Sequence, residues 1–279
     1  MLDQATLKAK LRELDGQPAP EEAEIYLLSM LAHIGTADPE LRDELIYETF
    51  ARWIGEGVFG AATLRHILST ALDADHLFLQ LGARASDSVF TRAFSVLLVP
   101  LIIHYHQAHP FLNAEDLRHV QTSLHRYLAK ENDLRGYVDG KGWAHAVAHA
   151  ADALDALAGC EALGRDDILE LLDLIHAKVA EVRVVYTHGE DERLSYPVVT
   201  VLKRNLLSDE DLLGWLKTFE TLTQEVGSLG LPEGYRGFIN LKHYLRTLYF
   251  SALQAGGMLP QRDLMLHEIE RLLDAFADL

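Results

Sequence analysis

A six-residue pattern returns five times along this chain of 279 residues: FGAATL from Phe59, LNAEDL from Leu112, LGRDDI from Leu163, LSDEDL from Leu207 and LPQRDL from Leu259. The first residues of successive copies are 53, 51, 44 and 52 positions apart. An apolar residue anchors each copy, and a small or polar residue or a proline then starts a helix. In most copies acids fill its first turn, where the helix dipole favours negative charge, and an apolar residue opens a buried stripe. A second helical segment precedes each copy, at 38–54, 86–107, 142–158, 190–205 and 236–255. A lone hairpin of two helices cannot bury its apolar faces, so hairpins recurring at a near-constant interval predict stacking through nearest neighbours. The expected fold class is therefore all-α. It is read as an α-solenoid of about five helical hairpins, HEAT- or armadillo-like, with an irregular helical bundle or toroid as the alternative. An N-terminal pair at 3–14 and 20–34 would cap the array. In domain terms this is one unit over 1–279, with capping helices at 1–35 and five hairpins over 36–279.

Apolar spacing agrees, as in Ile168, Leu171, Leu172, Ile175 and Val179, and only VRVVY at 182–186 alternates as a strand would. The charge balance narrows the partners. With 42 acidic against 25 basic residues the chain carries a formal charge of −17. That repels phosphate backbones and anionic lipid, so neither nucleic acid nor membrane is expected, and a small molecule or a protein is. The longest apolar run, around Val96 to Ile103, carries Pro100 and is shorter than a bilayer requires. A single cysteine, Cys160, allows no intramolecular disulfide and no paired-cysteine zinc motif, which together with a polar amphipathic N-terminus makes the expected compartment cytoplasmic.

The repeat also sorts the loops. Turns within a hairpin are short, whereas connections between hairpins are longer: GARASDS at 82–88, KENDLRGYVDGKGW at 130–143, VYTHGEDER at 185–193 and GSLGLPEGYRG at 227–237. A solenoid gathers such connections on one edge, so Asp133, Lys141, His188, Glu192 and Arg236 are expected to converge there.

Directly after the second of these connections comes GWAHAVAHAAD, 142–152. On a helix from Trp143 to Ala158, spacings of four and three place His145, His149 and Asp152 on one stripe. Ala144, Val147, Ala148, Ala151, Leu154 and Ala158 make the packed stripe, while Ala146, Ala150 and Ala153 leave a third face of methyl groups. Close neighbours on several sides would hold the polar stripe against a groove. Three readings follow. The stripe lines a ligand or partner groove; or His145, His149 and Asp152 bind a divalent transition metal for hydrolysis, with Glu190 or Glu192 assisting; or the histidines form a structural polar network.

Around the stripe, Gly136, Gly140 and Gly142 permit unusual backbone conformations, Arg135 and Lys141 offer cations to an anionic ligand group, and Trp143 offers a stacking surface. The same stretch also reads as a tight turn, with Asp133 pairing Arg135 and Trp143 anchoring the core. In THGEDERLSYP, Glu190, Asp191 and Glu192 suit a helix N-terminus, and Arg193, loosely equivalent to Arg92 and Arg236, suggests a ladder of inter-repeat salt bridges. Neither Ser195 nor Cys160 has the sequence setting of a nucleophile, which turns the reading away from covalent catalysis.

ENDLRGYVDGKGWAHAVAHAADAL at 131–154 and HGEDERL at 188–194 resemble the hallmark segments of a bacterial family known as a domain of unknown function. The resemblance implies an all-helical, HEAT-like protein of cytoplasmic type and brings no catalytic residues with it. The expected function is thus a binding scaffold rather than an enzyme, without a resident cofactor. Its candidate ligand contacts are Asp133, Arg135, Lys141, Trp143, His145, His149, Glu192 and Arg193. A metal-dependent hydrolase and a purely structural network are the alternatives.

Overall fold

A computed structural model describes residues 1–14 and 16–276; residue 15 and residues 277–279, part of the single expected domain, lie outside the described residues. The chain is all-α. Its helices are α1 (Gln4–Glu13), α2 (Pro20–Ala32), a π-helical segment (Glu40–Tyr47) running into α3 (Glu48–Gly55), α4 (Ala61–Ala71), α5 (Ser88–Val96), α6 (Leu98–Ala108), α7 (Ala114–Lys130), α8 (Ala146–Ala158), α9 (Arg165–Val179), α10 (Glu190–Arg204), α11 (Asp209–Ser228), α12 (Glu233–Ala255) and α13 (Arg262–Asp274). The chain forms two compact units, Met1–Ala153 and Leu154–Leu279, whose border falls inside α8.

All five copies of the repeated pattern start a helix as expected. The anchors Phe59, Leu112, Leu163, Leu207 and Leu259 are buried, each 3% to 9% exposed. Asn113 and Ser208 cap α7 and α11, their side chains accepting backbone N–H bonds while Asp116 and Asp211 reach back to the cap N–H. At Gly164 only the second half of this arrangement exists: Asp167 accepts from the Gly164 N–H at 2.8 Å, and glycine has no side chain to reciprocate. The fifth helix starts one residue late, capped by Gln261, because Pro260 serves the turn.

In the second unit the leading helices of successive hairpins, α10 and α12, pack on each other, and the trailing helices α9, α11 and α13 do likewise, giving two layers. Polar side chains bridge neighbouring hairpins across 43 to 59 residues. Trp215 Nε1 donates to the Leu172 carbonyl at 3.2 Å, Asn240 Nδ2 to the Glu181 carbonyl at 2.7 Å, Thr247 Oγ1 to Asp191 at 2.6 Å, and Gln261 Nε2 to the Leu207 carbonyl at 3.2 Å. Arginines bridge as well, Arg165 pairing with Asp211 and Arg271 Nη1 with Glu220 at 2.6 Å, whereas Arg236 turns back on Glu233 of its own helix at 3.7 Å.

In the first unit α6 lies against α3 and α4. Ser88–Ala108, which joins α5 and α6, is longer than the sequence run suggested. Its length and mean hydropathy of 1.5 are enough to cross a membrane, and 72% of its most apolar window is buried in the protein, as in a core helix. Two further expectations change. VRVVY at 182–186 forms no strand, since the buried Tyr186 N–H is taken by the Asn240 side chain instead of a sheet partner. Residues 142–145 are not helical. They belong to a short antiparallel hairpin, β1 (Tyr137–Val138) and β2 (Gly142–Trp143), and to the turn that follows it.

Candidate functional site

The hairpin is placed by a residue far away in sequence. Arg42, in the π-helical segment, is completely buried, its guanidinium 4.4 and 4.7 Å from the ring centres of Phe90 and Phe94. Its Nη1 donates to the Thr36 carbonyl at 2.7 Å, and its Nη2 to the carbonyls of Lys141 at 2.7 Å and Trp143 at 3.4 Å. Nε lies 2.8 Å from Asp43 Oδ1, but off the line that a hydrogen bond needs. Burial lowers the Arg42 pKa and raises that of Asp43. Only a glycine fits at 142: with φ +76°, a Cβ there would stand 2.8 Å from Pro39 Cβ and 2.9 Å from Arg42 Nη2.

A second buried arginine fixes the approach to the hairpin. Arg92 grips Glu131 through Nε at 2.5 Å and Nη2 at 2.8 Å, and its Nη1 donates to the Leu79 carbonyl at 2.9 Å. Glu131 Oε1 also accepts the N–H groups of Asn132 and Asp133 at 2.9 and 2.8 Å, so one carboxylate folds the chain as it leaves α7. Tyr127, wholly buried nearby, has its hydroxyl pKa pushed well up by burial and then by the Glu131 charge.

The sequence-derived residues then fall into two groups. Asp133 and Arg135 satisfy each other, with Arg135 Nε and Nη2 donating at 2.7 and 2.6 Å, and Arg135 also holds the Ser86 carbonyl at 2.9 Å. The Asp133 carboxylate accordingly raises the pKa of Arg135. Lys141 Nζ bonds both oxygens of Asp87 at 2.8 and 2.7 Å. These cations are engaged by carboxylates of the protein itself.

The aromatic residues face outward. Trp143 is 39% exposed and Tyr137, a residue the sequence reading passed over, 52%; the expectation that Trp143 anchors the core is corrected. The two rings pair across β1 and β2, edge to face at 5.2 Å. On the inner side the His145 ring stacks on Trp143 at 4.7 Å, His149 follows at 5.6 Å, and Phe94 lies 5.2 Å beyond His149. A file of rings thus runs from exposed Tyr137 to the buried core beside Arg42.

His145 precedes α8 rather than belonging to it. Its φ of +51° puts it in the left-handed region, and its carbonyl accepts the first bond of the helix from the His149 N–H. The single helical stripe of His145, His149 and Asp152 is therefore corrected, because the turn that closes the hairpin takes His145 out of the helical register. His149 Nδ1 donates to the Ala93 carbonyl at 3.1 Å, which fixes its tautomer. Asp152 is half-buried one turn on. Among the described residues no three His, Cys, Asp or Glu side chains are arranged to hold a metal ion. The methyl-lined character of α8 stands, with every alanine and leucine from Ala146 to Ala158 no more than 1% exposed.

The 188–193 segment belongs to the second unit. Glu190 is buried and accepts the His188 N–H at 2.9 Å; Asp191 bonds Thr247; Glu192 is exposed; Arg193 is half-buried, its N–H bonded to the Gly189 carbonyl. Only Glu192 of the three acids faces solvent. Ser195 Oγ donates to the Glu192 carbonyl at 2.7 Å and meets Ser251 Oγ at 3.2 Å, and neither of these partners is a base.

Residues 77–250, well over half of the chain, match a protein family described as a protein of unknown function, DUF2785. The chain belongs to the DUF2785 family. No curated protein and no solved structure matches it. The DUF2785 region holds the Arg92–Glu131 pair, the hairpin with its rings, and α8 to most of α12, while the clamp residue Arg42 lies before it.

Proposed function

We propose that this DUF2785 protein is a binding scaffold built from stacked helical hairpins of HEAT or armadillo type, and that its first unit engages a protein partner through the ledge formed by Tyr137, Trp143 and the outer edge of His145. One observation carries the reading. Two large aromatic side chains stand partly exposed, Tyr137 at 52% and Trp143 at 39%, on a hairpin that the buried Arg42 and Arg92 hold in place. Rigid, partly exposed Trp and Tyr are the side chains that anchor protein interfaces, because they bring large contact area at small entropic cost. Recognition of an anionic group by Arg135 or Lys141 is not adopted, since both are held by internal carboxylates. Hydrolysis at His145, His149 and Asp152 is not adopted either, since His145 stands outside the helix and, among the described residues, no three such side chains are arranged to hold a metal ion.

A photo-crosslinking residue placed at position 137 in cells tests the reading, with the same residue at exposed Lys217 as control. A discrete adduct with one protein is expected from position 137, absent from position 217 and lost when Trp143→Ala is added. Adducts equal at both positions, or none at 137, overturn the reading.

A further inference from the structure

The second unit carries a cleft of 390 Å³ that the proposed function does not use. Three elements wall it: Asp155 of α8; Tyr196, Val199, Thr200 and Lys203 along one face of α10; and Ser251 and Gln254 of α12, with Met258 just beyond. The volume is near the low end of ligand sites, roughly 300–1,000 Å³, which suits a small metabolite and is too small for a docked helix. Thr200 Oγ1 donates to Asp155 Oδ1 at 2.5 Å and so fixes the carboxylate. Lys203 follows Thr200 by one turn on the same helix face. Yet neither Asp155 nor Lys203 forms an ion pair among the described residues, with each other or with a third group. The fold therefore keeps a carboxylate and an ammonium in one cleft and leaves them unjoined. At the rim, Tyr196 is 44% and Met258 62% exposed, an apolar surface that internal packing does not call for.

We propose that this cleft binds a small zwitterion, an α-amino acid or dipeptide with an apolar side chain. Its ammonium group meets Asp155, its carboxylate meets Lys203, and its side chain lies against Tyr196 and Met258, with Ser251 and Gln254 supplying neutral hydrogen bonds. A purely anionic ligand would face the Asp155 charge, and a purely cationic one the Lys203 charge. Only a molecule carrying both charges close together answers both walls.

Calorimetric titration and thermal shift of the full chain with L-leucine, L-phenylalanine and L-leucyl-L-leucine test this, each probe beside its N-acetyl and C-terminal amide forms. The zwitterions are expected to bind, and each blocked form at least tenfold more weakly. Lys203→Met should weaken the zwitterion at least tenfold, leave the amide unaffected and keep the melting temperature, since Lys203 is exposed. Asp155→Asn, which retains an oxygen for Thr200, should weaken the zwitterion and leave the N-acetyl form unaffected. The proposal is overturned if no zwitterion binds at millimolar concentration, if blocked forms bind equally well, or if the variants change nothing. None of these results bears on the ledge of the first unit.

Discussion

Replacing Arg42 with methionine separates a positioned ledge from an incidental one. The side chain makes two bonds of 2.7 Å, to the carbonyls of Thr36 and Lys141, and a longer one to Trp143. Hydrogen bonds from a charged donor contribute about 1.5–3 kcal/mol each, so the two short ones come to roughly 3–6 kcal/mol before costs. Against that stands the desolvation of a fully buried guanidinium, which lowers its pKa and which methionine does not suffer. Methionine would also keep the apolar contacts with Phe90 and Phe94. A net loss of about 2–4 kcal/mol is expected, equivalent to a fall in Tm of roughly 4–16 °C for a unit of this size. Arg42→Lys should recover little, because a point charge cannot span three carbonyls. The assay combines thermal unfolding with acrylamide quenching. Of the three tryptophans, Trp53 is 0% and Trp215 4% exposed, so quenching reports chiefly on Trp143 at 39%. Quenching should increase in Arg42→Met well below its Tm, as the hairpin loosens. A variant that keeps both its Tm within about 2 °C and its quenching would refute the view that Arg42 positions the ledge.

The Arg92–Glu131 pair should behave as a buried ion pair. Arg92→Met alone is expected to cost about 3–5 kcal/mol by stranding the carboxylate, and Arg92→Met with Glu131→Gln distinctly less, so additive losses in a urea double-mutant cycle would count against the pairing. Stability should also fall as pH drops below the ordinary histidine value near 6.5. Burial lowers the pKa of both His106 and His176, so the stability they contribute is complete above the unfolded value and lost as pH falls through the lower folded one. His106 Nδ1 further accepts the N–H groups of Phe111 and Leu112 at 2.9 and 3.0 Å, bonds that protonation breaks, so His106→Gln should flatten a plot of Tm against pH between 7.5 and 5. Asp43, with its pKa raised by burial, works the other way and only in the carboxylate range.

The repeated pattern was readable because everything it does is local. An anchor such as Leu163 is buried beside the helix it introduces, and Asp167 bonds a backbone group three residues away. The ledge was half readable. Trp143, His145 and His149 were singled out, but the alternation of alanine and histidine in WAHAVAHA imitates a helix from its first residue. What ends that register is a left-handed backbone at Gly142 and His145, and at Gly142 the crowding of Pro39, Arg42 and Asp43 leaves no room for a side chain. No window around position 142 contains those residues. Arg42 itself, in ELRDELIY, looks like one more solvated charge on a helix face, and only its carbonyl partners 99 and 101 positions later reveal it as core. Lys141 was read as an available cation because its partner, Asp87, comes from the previous connection, whereas the partner of Arg135, Asp133, is two residues away and that pairing was legible.

The separations of these bonds also order events in time. Most bridges between neighbouring hairpins in the first unit span between 39 and 56 residues, as in Arg92 with Glu131, Lys141 with Asp87 and His149 with Ala93. During synthesis each such bridge can close once the next hairpin has emerged, since domains generally begin to fold from the N-terminus as the chain is made. Arg42 has to wait for residues 141 to 143, twice as long. Until then a guanidinium destined for the core stays in water among its future neighbours, and the pocket around Phe90 and Phe94 cannot seal. The stretch that completes the surroundings of Arg42 is thus the one that carries Tyr137 and Trp143, so the nascent chain displays its ledge in final form only once the buried arginine beneath it has found its carbonyls.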